Sequence, residues 1–106
     1  MKNRRGTRFA VQLPVSFRGE RAAGEGIVLN LSAMGCAITA ADPAAPGDYL
    51  QLDIQLRDTE EPLHVEVAAA RWVAGSRFGL EFIRFRRTDS ERLRLFVEML
   101  EPTARS

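Results

Sequence analysis

Phe9-Ala10-Val11-Gln12-Leu13-Pro14-Val15-Ser16-Phe17 is the stretch that decides the fold. Every odd position is apolar, and the residues between are small or polar. A period of two over nine residues marks a strand with one face in a core and the other in water. Pro14 has no backbone donor, which predicts a strand edge or a bulge there. Gly19 to Gly24 supplies turn chemistry, after which alternation resumes. Ile27, Leu29 and Leu31 then share one face, and Val28, Asn30 and Ser32 the other. Pairing Phe17 near Gly26 makes facing positions of this hairpin sum to about 43, which sets Arg8 roughly opposite Gly35.

The same alternation continues outward. Gly35 breaks the second strand, and Cys36, Ile38 and Ala40 begin a third. The Pro- and Gly-rich run Asp42 to Asp48 is a loop. Tyr49 to Arg57 reads as a fourth strand, with Leu50, Leu52, Ile54 and Leu56 inward. An acidic loop, Asp58 to Pro62, leads to a fifth, in which Leu63, Val65, Val67 and Ala69 point inward. Gly75-Ser76 is a tight turn before Phe78, Leu80 and Phe82 of a sixth. One helix follows. Thr88-Asp89-Ser90-Glu91 matches a capping box, and Leu93, Phe96, Val97 and Leu100 fall at i, i+3, i+4, i+7 before Pro102. The expected fold is all-β, a six-stranded antiparallel barrel with one C-terminal α-helix. As a single domain over 1–106, it divides into a flexible arginine-rich arm (1–8), a barrel (9–83) and a helix (88–100).

Composition narrows the function. A chain of 106 residues and 11.8 kDa fits one domain. One cysteine, Cys36, excludes an internal disulfide, and one histidine, His64, excludes a multi-histidine metal centre. No apolar run approaches the length of a membrane span, and the basic start lacks an apolar signal core, so the expected compartment is the cytoplasm. The net charge of +1 conceals a strong separation. Residues 1–19 carry five bases and no acid, whereas residues 42–66 carry seven acids and one base. Fourteen of the fifteen basic residues are arginine, whose planar fork grips phosphates and purine edges in pairs. That bias favours a compact anionic partner over a nucleic acid polymer.

The hairpin brings the arginine cluster Arg4, Arg5 and Arg8 to the turn Asn30-Leu31-Ser32-Ala33-Met34-Gly35 at one end of the barrel. These residue types suit a guanine nucleotide. Arginine bonds phosphate oxygens or guanine O6 and N7, and also lies flat on a purine. Asn30 and Ser32 reach a base edge or ribose, and Gly35 permits a positive φ and a close backbone approach.

Arg4 and Arg8 fit an R-x-x-x-R pattern, and Asn30, Ser32 and Gly35 fit [DN]-x-S-x-x-G about twenty residues later. With the Gly79-Leu80-Glu81-Phe82 segment and the arginine-bearing last helix, they make the chain resemble the PilZ domain family over nearly its whole length. The resemblance implies a receptor for the bacterial second messenger cyclic di-GMP, built as a six-stranded barrel with a C-terminal helix, and no enzyme. It implies that Arg4 and Arg8 clamp phosphates and meet guanine, with Arg5 adding a phosphate contact. Asn30 and Ser32 would bond a guanine edge, and Gly35 would hold the turn. Cyclic di-GMP is then a ligand, and no cofactor is implied. The output passes to an effector protein, by a monomer or weak homodimer without membrane contact. A barrel of this kind acting as a protein adaptor that binds no nucleotide is the alternative.

Trp72 leaves two readings open. It shares strand parity with His64 and Glu66, so it either stacks on a guanine or buries itself beneath the helix, and a bulge at Ala68–Ala70 would reverse its face. Arg71 has the opposite parity, which sets it at the barrel rim near the ligand. Cys36, next to the motif glycine, reads as a buried inert thiol. His64 reads as solvated. Glu60 and Glu61, adjacent in a Pro-bounded loop, face water and do not form a catalytic pair. Arg84, Arg86 and Arg87 stand just before the helix, where cations oppose its dipole, which points to a role beyond stability.

Overall fold

The computed structural model describes residues 6–57 and 61–101. Six strands precede one helix: β1 (Phe9–Gly19), β2 (Ala23–Leu31), β3 (Gly35–Ala40), β4 (Tyr49–Ile54), β5 (Leu63–Ala74), β6 (Arg77–Arg84) and α1 (Arg87–Leu100). The strands close into an antiparallel barrel in the order β1-β2-β3-β6-β5-β4, the expected fold class. Val11, Leu13, Val15 and Phe17 of β1 are buried, with Gln12 and Ser16 outside. Phe17 meets Phe78 of β6 edge-on across the core, ring centres 5.3 Å apart. Closure leaves no open sheet edge among the described residues, and β1 pairs with β2 on one side and β4 on the other.

Local register departs from the sequence expectation in three places. First, Phe17 pairs with Gly24, not near Gly26, and Phe9 pairs with Leu31. The turn is shorter than Gly19–Gly24, closed by a bond from Gly19 N–H to the Ala22 carbonyl (2.7 Å). Gly24 and Gly26 are strand residues. The Phe17 ring covers Gly24, and a Cβ on Gly26 would strike the Thr39 carbonyl. These glycines serve close approach, so counting them as turn residues displaced the register. Second, β2 slips against β3 between Val28 and Asn30. The extra residue turns Val28 into the core and leaves Ile27 37% exposed, the reverse of simple alternation. Third, β5 slips against both neighbours, so that Ala68, Ala69 and Ala70 are all buried while Val67 is only partly so. The β1·β2 slip itself lies between Ala10 and Leu13. Pro14 comes after it, at the end of the β1·β4 ladder, where its carbonyl accepts the Gln55 N–H (2.8 Å). β4 ends at Ile54, before the expected Arg57, although Leu56 is still buried.

The helix begins at Arg87, and the capping box does not form. Arg86 is the N-cap residue and makes no side-chain cap bond. Asp89 turns inward instead and is 1% exposed. One oxygen accepts the His64 N–H of β5 (3.2 Å), and the other accepts Arg86 Nε (2.7 Å). Arg92 adds bonds to the Pro62 and Glu61 carbonyls (3.1 and 2.8 Å). This tether holds Leu93, Phe96 and Val97 against the barrel core. It also explains Arg86, whose guanidinium neutralises a buried carboxylate. Asp89→Ala leaves the His64 N–H without its acceptor and is expected to lower stability by about 2–3 kcal/mol. Denaturant unfolding of the two proteins measures this.

Candidate functional site

β1 starts where β2 ends and β3 starts. The Phe9–Leu31 pair puts Arg8 level with Ser32, not Gly35, one consequence of the shorter hairpin turn. Arg8 Nη1 donates to Asn30 Oδ1 at 2.9 Å on the exposed surface. The amide thus orients the guanidinium, with Arg8 open to solvent and Asn30 half-buried.

The turn from Ser32 to Gly35 is built by the serine. Ser32 N–H donates to the Gly35 carbonyl (2.9 Å), and Ser32 Oγ accepts the N–H of Met34 (3.0 Å) and of Gly35 (3.1 Å). Its hydroxyl also lies 3.3 Å from the Gly35 carbonyl. Ser32 is 1% exposed, so it does not share an open face with Asn30. Gly35 does not have a positive φ; among the described glycines only Gly47 and Gly75 do. What Gly35 supplies is room, because a Cβ there would overlap the Leu80 carbonyl oxygen of β6. A bond from Phe82 N–H to the Met34 carbonyl (2.8 Å) fastens the turn to β6.

β5 and β6 form the other wall. Ala70 pairs with Leu80 and Trp72 with Gly79, so Arg71 is the extra residue of a bulge. Arg71 and Trp72, although consecutive, are both exposed on the outside of the barrel. Trp72 is 43% exposed and its indole lies across Gly79, where no Cβ could fit. It is not beneath the helix. Arg71 Nε donates to Glu81 Oε1 at 2.8 Å. Between the two walls lies a cleft of about 330 Å³ bounded by Arg8, Met34, Arg71, Trp72 and Glu81. The sequence reading missed Gly79 as the seat of the indole. A glycine inside an otherwise alternating strand was the available signal, since such residues mark close approach.

Arg4 and Arg5 lie outside the described residues. Other polar groups have structural partners. His64 Nδ1 lies 2.8 Å from Asp53 Oδ1, so the ring is paired and not merely solvated, and Arg84 pairs with Glu66 (3.3 Å). Burial pushes the Cys36 thiol up to about 12, against a smaller opposite pull from the Arg8 charge, which leaves it an inert core residue. No metal-binding cluster occurs among the described residues. A larger hollow of about 410 Å³ beside Pro14, Ile27 and Pro62 is lined by Glu25 and Asp53 and by no base, so its charge suits no anion.

The sequence profile of the PilZ domain matches residues 2–99. The chain belongs to the PilZ domain family. No curated protein matches the sequence. Among solved structures, this PilZ domain is similar to the Bacillus subtilis inhibitor of motility (MotI/DgrA), with 23% identity and a TM-score of 0.73. That match covers 93% of this chain and 52% of the other, so the chain spans about half of that protein's length. It is also similar to the PilZ domain of CeSA from a cellulose-synthesizing bacterium, with 15% identity, a TM-score of 0.69, and 90% and 98% of the two chains covered. At these identities the likeness establishes the barrel-and-helix fold. PilZ domains form a family of cyclic di-GMP receptors, typically receptors or adaptors without catalytic activity. No helix among the described residues is long and apolar enough to cross a membrane.

Proposed function

We propose that this PilZ domain binds cyclic di-GMP in the cleft between Arg8 and Trp72 and relays binding to an effector protein. The observation that carries this reading is the convergence of two recognition chemistries on one cleft. Arg8, oriented by Asn30, offers paired donors to a phosphate or a guanine edge. Trp72, laid on Gly79, offers a flat apolar face to a purine. Ser32 and Gly35 shape the turn between them, and Arg4, the first arginine of the R-x-x-x-R pattern, and Arg5 beside it would join the site. The ligand would draw the arm onto the barrel, and the combined surface of protein and nucleotide would be what the effector reads. This is a cytoplasmic signalling role. A polymer of nucleic acid fits less well, since Phe17 and Phe78 are buried and supply no exposed stacking row.

Titration calorimetry with cyclic di-GMP, and with GTP as control, tests the proposal. Saturable heat is expected for the cyclic dinucleotide alone. Trp72 is the only tryptophan, so its fluorescence reports the cleft directly. Stacking on guanine is expected to quench it along the same binding curve. No heat, together with recovery of a protein partner in the absence of nucleotide, would establish the adaptor without ligand.

A further inference from the structure

We propose that Arg71 is a further ligand-contacting cation of this cleft, held in reserve by Glu81, and that Glu81 thereby sets the affinity. The inference rests on the cyclic di-GMP reading above. Three observations lead to it. The bulge at Arg71 is what turns two successive side chains, a cation and an aromatic, toward the same cleft. Bulges next to binding sites commonly re-aim side chains in this way. Next, Arg71 reaches Glu81 Oε1 through both Nε (2.8 Å) and Nη2 (2.7 Å), so the pair engages one carboxylate oxygen only. Both side chains are about half exposed (54% and 47%), and an ion pair that open to water is easily exchanged for a better partner. A phosphodiester offers the fork two oxygens. Finally, the charged residues bounding the cleft are Arg8, Arg71 and Glu81, a balance of +1 facing a ligand with two phosphate charges. The carboxylate competes for Arg71 and repels the ligand, and it stands opposite Gly35, at the turn itself.

Calorimetric affinities of the whole chain for cyclic di-GMP test this, with Arg8→Ala as the benchmark for the site. Arg71→Gln is expected to weaken binding about tenfold, the loss of one charge-assisted contact. Glu81→Gln is expected to tighten it by roughly three- to fivefold, a gain that misfolding cannot imitate. In the double variant the gain disappears, because the residue it releases is gone. Binding by Arg71→Gln within about twofold of wild type, while Arg8→Ala is impaired, overturns this inference and leaves the binding reading standing. Weaker binding by Glu81→Gln also overturns it, since the carboxylate would then be presenting Arg71. Absence of any wild-type heat removes both.

Discussion

Gly35→Ala is expected to destabilise the barrel by about 2–4 kcal/mol, a fall of roughly 10–20 °C in melting temperature for a domain of this size. The added methyl would overlap the Leu80 carbonyl, which belongs to the backbone and cannot rotate away. Relief requires β3 to move from β6 along the ladder from Gly35–Glu81 to Thr39–Arg77. The same residue closes the Ser32 turn through both its N–H and its carbonyl. The motif glycine would therefore act on the proposed site through the fold, and cyclic di-GMP affinity is expected to fall with stability. Gly75→Ala is the informative contrast: it has a positive φ (63°) but nothing within 4 Å of a new Cβ, so only local strain of about 1–2 kcal/mol is expected. Thermal unfolding of the two variants ranks them. A Gly35→Ala protein that melts with wild type would show that the strands can part, and would return the glycine to a direct role at the ligand.

The parts of the fold legible in the sequence are those governed by burial. The odd positions of β1, the four inward residues from Leu50 to Leu56, and the stripe Leu93, Phe96, Val97 are all where alternation or helical spacing puts them. Bulges were legible only in part: the sequence admits one at Ala68–Ala70 and register shifts flank that stretch, but the extra residues at Leu29 and Arg71 carry no compositional mark of their own. One such residue reversed Ile27 and Val28, and another put Arg71 and Trp72 side by side. Asp89 shows a different limit. It lies inside a stretch whose Thr88 and Glu91 match a local capping pattern, yet tertiary packing gives its carboxylate to His64 and Arg86 and starts the helix before them. At the site, the meeting of Arg8 with Asn30 followed from the hairpin even though its register was displaced by a few residues. The meeting of that pair with Trp72 and Glu81 required barrel closure through β3 and β6, a non-local event that no short pattern encodes.

Arg8→Ala is expected to weaken cyclic di-GMP binding by about ten- to a hundredfold, the equivalent of roughly 1.5–3 kcal/mol for a charged hydrogen-bonding partner. Stability should change by no more than about 0.5 kcal/mol, because the Arg8–Asn30 bond is solvent-exposed. That separation of affinity from stability distinguishes Arg8 from Gly35, whose loss lowers both. Arg8→Lys divides the effect further. A lysine keeps the charge and its long-range attraction for the phosphates but lacks the planar fork, so it should recover only part of the affinity. It should also make the remainder more sensitive to salt, since what is left is a point-charge interaction. If lysine restored wild-type affinity, the cleft would be recognising charge alone, and the pairing of Arg8 with Asn30 would be incidental. If Arg8→Ala bound as tightly as wild type in calorimetry, the ligand would sit elsewhere, and the convergence of Arg8 and Trp72 on one cleft would have no part in binding.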